Sequence, residues 1–272
     1  MIFALFGNPV AQSLSPLMHN AALKAMGVSG CYVPLCIRHL PGAVQGLRGM
    51  DIRGASVTIP FKSEIMAYLD NLDAEALKIG AVNTIINDNG RLTGCNTDWC
   101  GLVQSLKEQL DIEGKTVVIL GAGGTARAAL YGVIKEKGHP VIVNRTERKA
   151  RELAREWDCP YESLENIGEI KADILINTTP AGMFPHGDDT PVDGRALKRF
   201  SGVVDVIYNP LKTKLLKDAE TAGCRTLSGL NMFIYQGAQQ IRLWTGQEPP
   251  RALMRKVVLE HLTTASGISR PA

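Results

Sequence analysis

The sequence predicts a two-domain α/β protein whose second domain is a doubly wound sheet. Short apolar runs of strand length alternate with helix-length segments along almost the whole chain. One such run, "VVIL", passes directly into a glycine-rich turn and then an alanine-rich stretch, the order of a strand, a tight turn and a packed helix. The chain has 272 residues, 45% of them hydrophobic, enough for two cores.

The first series opens with "IFALFG", a buried strand, followed by "GNPVAQSLSPLMHN". Ser15 before Pro16 reads as an N-cap and first helical position, since the hydroxyl accepts from an orphan N–H and proline gives up a donor the helix does not use. Ser13 lies just before the cap, so two hydroxyls stand beside a partially positive helix end that suits a small anion such as a carboxylate. A strand-to-helix turn with a good cap is the simpler account of this stretch taken alone. The strands "CYVPLCI", "GASVTI" and "VNTIIND" follow. In "GCNTDWCGLVQSLKEQL", Asn96 or Thr97 caps a helix that leads from one domain to the other.

The second series runs through "KTVVILGAGG", "PVIVNRT", "ADILINTTP" and "GVVDVIYNP". After it, "MFIYQGAQQIRLW" and "PRALMRKVVLEHL" are helical by period and add no strand to the second sheet. The expected division is a first domain over 1–99 with 236–272 packing back on it, and a second over 100–235. Only the tail "TTASGISRPA" looks disordered, and no internal repeat is present.

Composition excludes several classes. A net charge of +3 without basic runs interleaved with aromatics argues against nucleic acid. Cys31, Cys36, Cys95, Cys100, Cys159 and Cys224 form no CxxC pair and have no histidines at zinc spacing, so neither a metal site nor a disulfide framework is expected. "MIFALFG" is too short for a signal segment, and no apolar stretch reaches the ~18 residues of a membrane helix. A soluble, cytoplasmic protein with reduced thiols is expected, a monomer or a homodimer acting on a small molecule.

Gly121-Ala122-Gly123-Gly124-Thr125-Ala126 is the G-x-G-x-x-A form of the dinucleotide fingerprint in its required context. Gly121 permits the tight turn, Gly123 lets the backbone approach a pyrophosphate, and Ala126 allows close helix packing, so the domain is Rossmann-like. Where an NAD enzyme ends the next strand in an acidic residue, "VIVNRTERK" has Asn144 and Arg145. No carboxylate repels a 2′-phosphate there, and Arg145, with Arg127, Arg148 or Lys149 nearby, is suited to pair with one. Cations that merely solvate a helix N-terminus oppose its dipole, so NADP is the favoured cofactor.

Polar groups of the first domain gather where strands end: Ser56, Thr58 and Lys62 in "SVTIPFK", Asn83 in "AVNT", and Asn96, Thr97 and Asp98 in "GCNTDWCG". Lys62, after Pro60-Phe61, is suited to proton transfer with Asp98 as the partner that holds it. A solvated Lys62 and a helix-capping Asp98 account for the same residues equally well.

Together the stretches "GNPVAQSLSPLMHN", "GASVTIPFK", "GAVNT", "GCNTDWCG", "GAGGTARA", "NRT", "NTTPAGM", "DVIYNPLKTKLL" and "MFIYQGAQQIRLWTG" resemble the shikimate dehydrogenase family, in family order over nearly the whole chain. The resemblance implies an NADP-dependent enzyme that reduces 3-dehydroshikimate to shikimate, with a substrate domain and a dinucleotide domain facing each other across a cleft. It implies that Ser13 and Ser15 hold the substrate carboxylate, that Thr58, Asn83, Asp98 and Gln236 bind ring hydroxyls near Ser56, and that Tyr208 stands beside the substrate. Lys62 and Asp98 match the catalytic pair. Asn144, Arg145, Thr146 and Lys149 match adenosine-phosphate positions, and Thr178, Gly229 and Met232 match positions near the nicotinamide ribose and ring.

The chain departs from the family pattern at Ser56, where asparagine is common, at Gln12, where histidine is common, and at Gly237, where alanine is common. Ser13, instead of the threonine often found in quinate users, favours shikimate. Rival readings are a quinate/shikimate dehydrogenase of broader specificity, a non-catalytic dehydroshikimate or quinate sensor on the same fold, and a folate-linked NADP dehydrogenase. The intact Lys62, Asp98 and glycine turn oppose the sensor, and the serine motif and Gln236 oppose the folate enzyme.

Overall fold

The computed structural model describes residues 1–267. The chain forms two compact units, one of Met1–Thr97 with the segment from Ile234 onward, the other of Asp98–Phe233.

The first unit opens with β1 (Ile2–Gly7), α1 (Ser15–Ala25), β2 (Cys31–Cys36), α2 (Leu40–Gly49) and β3 (Ile52–Val57), and continues through β4 (Asn71–Leu72), α3 (Ala74–Ile79), β5 (Thr84–Asp88) and β6 (Arg91–Cys95). Its sheet has the order β2-β1-β3-β5-β6-β4. β1 runs parallel to β2 and β3, whereas β5 is antiparallel to β3 and β6. β6 is an addition to the strands expected from sequence. It is the second arm of a hairpin whose turn, Asn89-Gly90, takes positive φ at both residues, 51° and 91°, the geometry that suits the right-handed twist of the strands. Alternation of β1 places Ala4 and Phe6 in a core with α2, and Phe3 and Leu5 in a second core with Leu23 and Tyr32.

The second unit contains α4 (Asp98–Lys107), β7 (Thr116–Leu120), α5 (Gly124–Lys135), β8 (His139–Asn144), α6 (Glu147–Trp157), β9 (Tyr161–Ser163), β10 (Ile174–Asn177), α7 (Gly194–Leu197), β11 (Gly202–Asp205), α8 (Lys214–Thr221) and β12 (Arg225–Leu227). All strands are parallel, in the order β12-β11-β10-β7-β8-β9. This is the doubly wound order, with its reversal between β7 and β10. Val117 and Ile119 of β7 face a core with α4, α5 and α6, and Val118 and Leu120 face a core with α7 and α8. Both faces are covered, which is why the strands are continuous apolar runs. The edge strands β9 and β12 are short and polar enough that their sequences carry no strand signal.

α9 (Leu230–Thr245) carries the chain from the second unit back to the first, and α10 (Arg251–Gly267) packs on α1. Trp244 of α9 lies on the first sheet, its indole N–H donating to the Ile85 carbonyl at 2.9 Å. α10 continues through Thr263–Gly267, which composition assigns to a disordered tail; the rest of that tail, 268–272, lies outside the described residues. Among the described residues no helix is long and apolar enough to cross a membrane.

Candidate active site

In the second unit, the end of β7 meets the end of β10 at the reversal of strand order, where an open α/β sheet binds its ligand. Gly121 holds φ at +115°, and a Cβ there would lie 2.6 Å from Thr178 Oγ1, so only glycine turns the chain at this point. Thr178 is anchored in turn, its hydroxyl donating to the Leu120 carbonyl at 2.5 Å. Gly123 is the N-cap of α5 and no side chain caps the helix, while the space a Cβ of Gly123 would occupy has no heavy atom within 4 Å. Ala122, Gly124 and Thr125 complete a half-open turn, and Ala126 is buried beneath it. An uncapped helix end behind an open glycine is a fit for a pyrophosphate.

The cations offered by sequence separate into two groups. Arg127 forms a bidentate pair with Glu156 at 2.6 and 2.9 Å, which holds the Glu156 carboxyl below its ordinary pKa, and Arg148 pairs with Glu152 at 2.8 Å. Arg145 and Lys149 are exposed and form no ion pair among the described residues. Asn144 Nδ2 donates to the Thr146 carbonyl at 3.0 Å, shaping the turn that carries Arg145 before α6. Thr146 sits at the N-cap of α6 without a side-chain cap bond.

Gly229 precedes α9 and touches β11's exit: a Cβ there would lie 2.0 Å from the Val206 carbonyl oxygen. Met232 is buried in the core beside β7, and Tyr208 stacks on Phe233 with ring centroids 4.0 Å apart. Three residues to which the sequence reading gives no role, Asp205, Asn177 and Thr213, hold these loops. Asp205 Oδ1 accepts from Asn177 Nδ2 and from the Ile207 N–H, both at 3.1 Å, and Thr213 donates to Oδ2 at 2.7 Å. Burial pushes the Asp205 carboxyl up to about 6 against these three donors.

In the first unit the serine motif departs from its expected capping. α1 begins at Ser15 after Leu14, whose φ of −85° and ψ of 2° are nearly helical, so Pro16 is the second helical residue and no side chain caps from the N-cap position. Ser13 takes over that part: its Oγ accepts from the Ser15 N–H at 3.2 Å and donates to Ser15 Oγ at 3.1 Å. The two hydroxyls are thus linked at the start of the helix.

Asn83 is the hub of the polar residues. It is 1% exposed; its Oδ1 accepts from the Thr97 N–H at 2.7 Å and from Thr84 Oγ1 at 2.8 Å. Its Nδ2 donates to Thr97 Oγ1 at 2.9 Å and toward Gln236 Oε1 at 3.5 Å. Ser56, also buried, accepts from Tyr32 Oη at 2.7 Å and donates to Gln240 Oε1 at 2.8 Å. Thr58 stands at the end of β3, its N–H donating to the Phe6 carbonyl at 2.8 Å, and half-buried Lys62 lies just beyond, its carbonyl accepting from the Val82 N–H at 2.7 Å. Asp98 is buried in the first turn of α4, directly after Thr97.

Gln240, Thr84 and Tyr32 escape a reading by sequence. Gln240 lies one helical turn after Gln236 inside an apolar helix, the one signal that could have marked it. His19 is likewise buried, stacked on Tyr32 at 4.2 Å with Nδ1 2.9 Å from the Ser15 carbonyl, and burial lowers its pKa to about 4. At Gly237 a Cβ would come within 2.3 Å of Met18 Cε, so an alanine there requires Met18 to move.

Three family models match this chain: the shikimate dehydrogenase substrate binding domain over residues 5–85, shikimate / quinate 5-dehydrogenase over 102–184, and the shikimate 5'-dehydrogenase C-terminal domain over 229–259. A shikimate dehydrogenase (NADP(+)) of Methanothermobacter thermautotrophicus is 43% identical over 265 residues, covering 93% of this chain and 94% of its own. A crystal structure of a shikimate dehydrogenase in complex with NADP+ superimposes with a TM-score of 0.90 at 39% identity, covering 96% of this chain and 95% of that one. The shikimate 5-dehydrogenase of Thermus thermophilus, in complex with NADP(H) and shikimate, gives 0.88 at 35% identity, with 96% and 99% covered. With likeness of this extent running through both units, the chain belongs to the shikimate dehydrogenase family.

Proposed function

We propose that this protein catalyses the reversible NADPH-dependent reduction of 3-dehydroshikimate to shikimate, on the route to chorismate and the aromatic amino acids. The observation that carries the reading is the presence of Lys62, Asp98 and the open glycine turn in a chain 43% identical to a shikimate dehydrogenase. A sensor would need neither a proton donor nor a cofactor site.

NADPH, when bound, supplies hydride from its nicotinamide C4 to the carbonyl carbon C3 of the substrate. Lys62 gives an ammonium proton to the carbonyl oxygen as it becomes a hydroxyl, and takes that proton back in the oxidation. Asp98, the acidic member of the catalytic pair, accepts from a ring hydroxyl. Ser13 and Ser15 donate to the substrate carboxylate beside the positive end of α1. Thr58, Asn83 and Gln236 orient the ring hydroxyls, with Ser56 behind them, and Tyr208 stands beside the substrate.

The Gly121–Ala126 turn holds the pyrophosphate, Thr178, Gly229 and Met232 shape the nicotinamide end, and Asn144, Arg145, Thr146 and Lys149 hold the adenosine 2′-phosphate. The exposure of Arg145 and Lys149, which form no ion pair among the described residues, supports that last role. The first unit is accordingly the substrate domain and the second the NADP domain. Six free cysteines support a cytoplasmic location.

Incubation with 3-dehydroshikimate and NADPH deuterated at the transferable C4 position tests the reaction. Deuterium at C3 of newly formed shikimate is the expected product; unlabelled shikimate, or none, rejects it. The family match over 102–184 names quinate beside shikimate, so quinate is the competing substrate to assay.

A further inference from the structure

A directed hydrogen-bond relay runs through the first unit, from Tyr32 through Ser56, Gln240 and Thr84 to Asn83. Tyr32 donates to Ser56 and Ser56 to Gln240 Oε1. Gln240 Nε2 donates to the Asn83 carbonyl at 3.2 Å and to Thr84 Oγ1 at 3.1 Å. Backbone partners settle both carboxamide orientations. The Asn83 carbonyl only accepts, so the Gln240 atom facing it is nitrogen; the Thr97 N–H only donates, so the Asn83 atom 2.7 Å from it is oxygen.

Thr84 has a single hydroxyl proton and already accepts from Gln240. That proton goes to Asn83 Oδ1 at 2.8 Å, Thr97 Oγ1 being farther at 3.3 Å. Asn83 therefore has its oxygen engaged by Thr84 and the Thr97 N–H, and its Nδ2 donates to Thr97 Oγ1 at 2.9 Å and toward Gln236 Oε1 at 3.5 Å. These relay side chains are 5% exposed or less, so water does not substitute for a missing member.

We infer that Gln240 is a positioning residue for the substrate site, which holds Asn83 in place through the Asn83 backbone carbonyl and through Thr84, while the Thr97 N–H fixes the orientation of the Asn83 carboxamide. The inference rests on the proposed role of Asn83 in holding the substrate. Gln240 touches no reacting atom; it acts through Thr84 and the Asn83 backbone.

Steady-state kinetics of the wild type, Gln240→Met, Thr84→Val and the double variant test it, with shikimate and NADP varied separately and thermal midpoints measured alongside. Each single variant raises KM for shikimate roughly tenfold, the scale of one lost buried hydrogen bond, while kcat and KM for NADP change far less. The double variant is no worse than the poorer single one, because both cut the same relay. Thr84→Ser, which keeps the hydroxyl, restores the wild-type KM.

If one variant fails to fold, the other decides alone. Lowered midpoints with an unmoved KM for shikimate in folded variants overturn the inference, as do KM effects that multiply in the double variant. A wild type inactive with shikimate and NADP defeats the functional reading itself, whereas an active wild type with unaffected variants defeats only the relay.

Discussion

Gly121 and Thr178 meet across the ends of β7 and β10 so closely that a Cβ on the glycine would lie 2.6 Å from the threonine hydroxyl. Gly121→Ala also has to hold φ at +115°. The variant is expected to lose about 2 kcal/mol or more of stability, the scale of a strained left-handed residue with a clash, and to bind NADP more weakly. Denaturant titration and NADP titration of the variant check both effects.

Arg145→Ala is expected to weaken NADP by roughly 10-fold or more and NAD hardly at all, the difference being a charge-assisted contact with the 2′-phosphate. Arg127→Ala breaks the pair with Glu156 and weakens both dinucleotides alike or neither. Equal losses of NADP and NAD in Arg145→Ala would place the phosphate elsewhere.

Lys62→Ala is expected to lower turnover by roughly 10²-fold, the contribution of a positioned general acid, with NADP affinity unchanged. Unaltered turnover would remove Lys62 from the mechanism.

Two buried groups give the two units opposite responses to acid. His19 titrates normally at 6.5 and at about 4 in the fold, so its contribution to stability is complete above 6.5 and is lost as pH falls toward 4. The loss amounts to about 3 kcal/mol. Asp205 is raised from 3.8 to about 6, so its contribution is complete below 3.8 and is lost as pH rises through 6. His19→Phe should flatten the decline in unfolding free energy between pH 6.5 and 4, and Asp205→Asn should remove an opposing gain. Slopes identical to wild type in both variants would refute these assignments.

Much of this organisation is legible in the sequence because it is local. The buried strands of the second sheet are apolar runs, and the G-x-G-x-x-A turn declares its own context. The hairpin to β6 is also written in the chain, in Asn89-Gly90, but "RLTGC" hides it, having a glycine and little apolar character. The start of α1 falls one residue earlier than the Ser15-Pro16 signal implies, because Leu14 takes near-helical angles that residue type does not announce.

Pairing over distance is what a single sequence does not display. Ser56 meets Gln240 from 184 positions away, and Arg127 is separated from Arg145 in role by Glu156, 29 residues on. Neither pairing has a local pattern, since each depends on which elements become neighbours in the sheet and helix layers.

Oxidation of shikimate with NADP is the activity from which every residue role above follows. The first measurement to make is the initial rate of cofactor reduction by purified protein with shikimate or quinate, each paired with NADP or NAD, in one assay. The expected rate with shikimate and NADP far exceeds the other three. No rate in any pair, or a quinate rate equal to that with shikimate, would contradict the assignment.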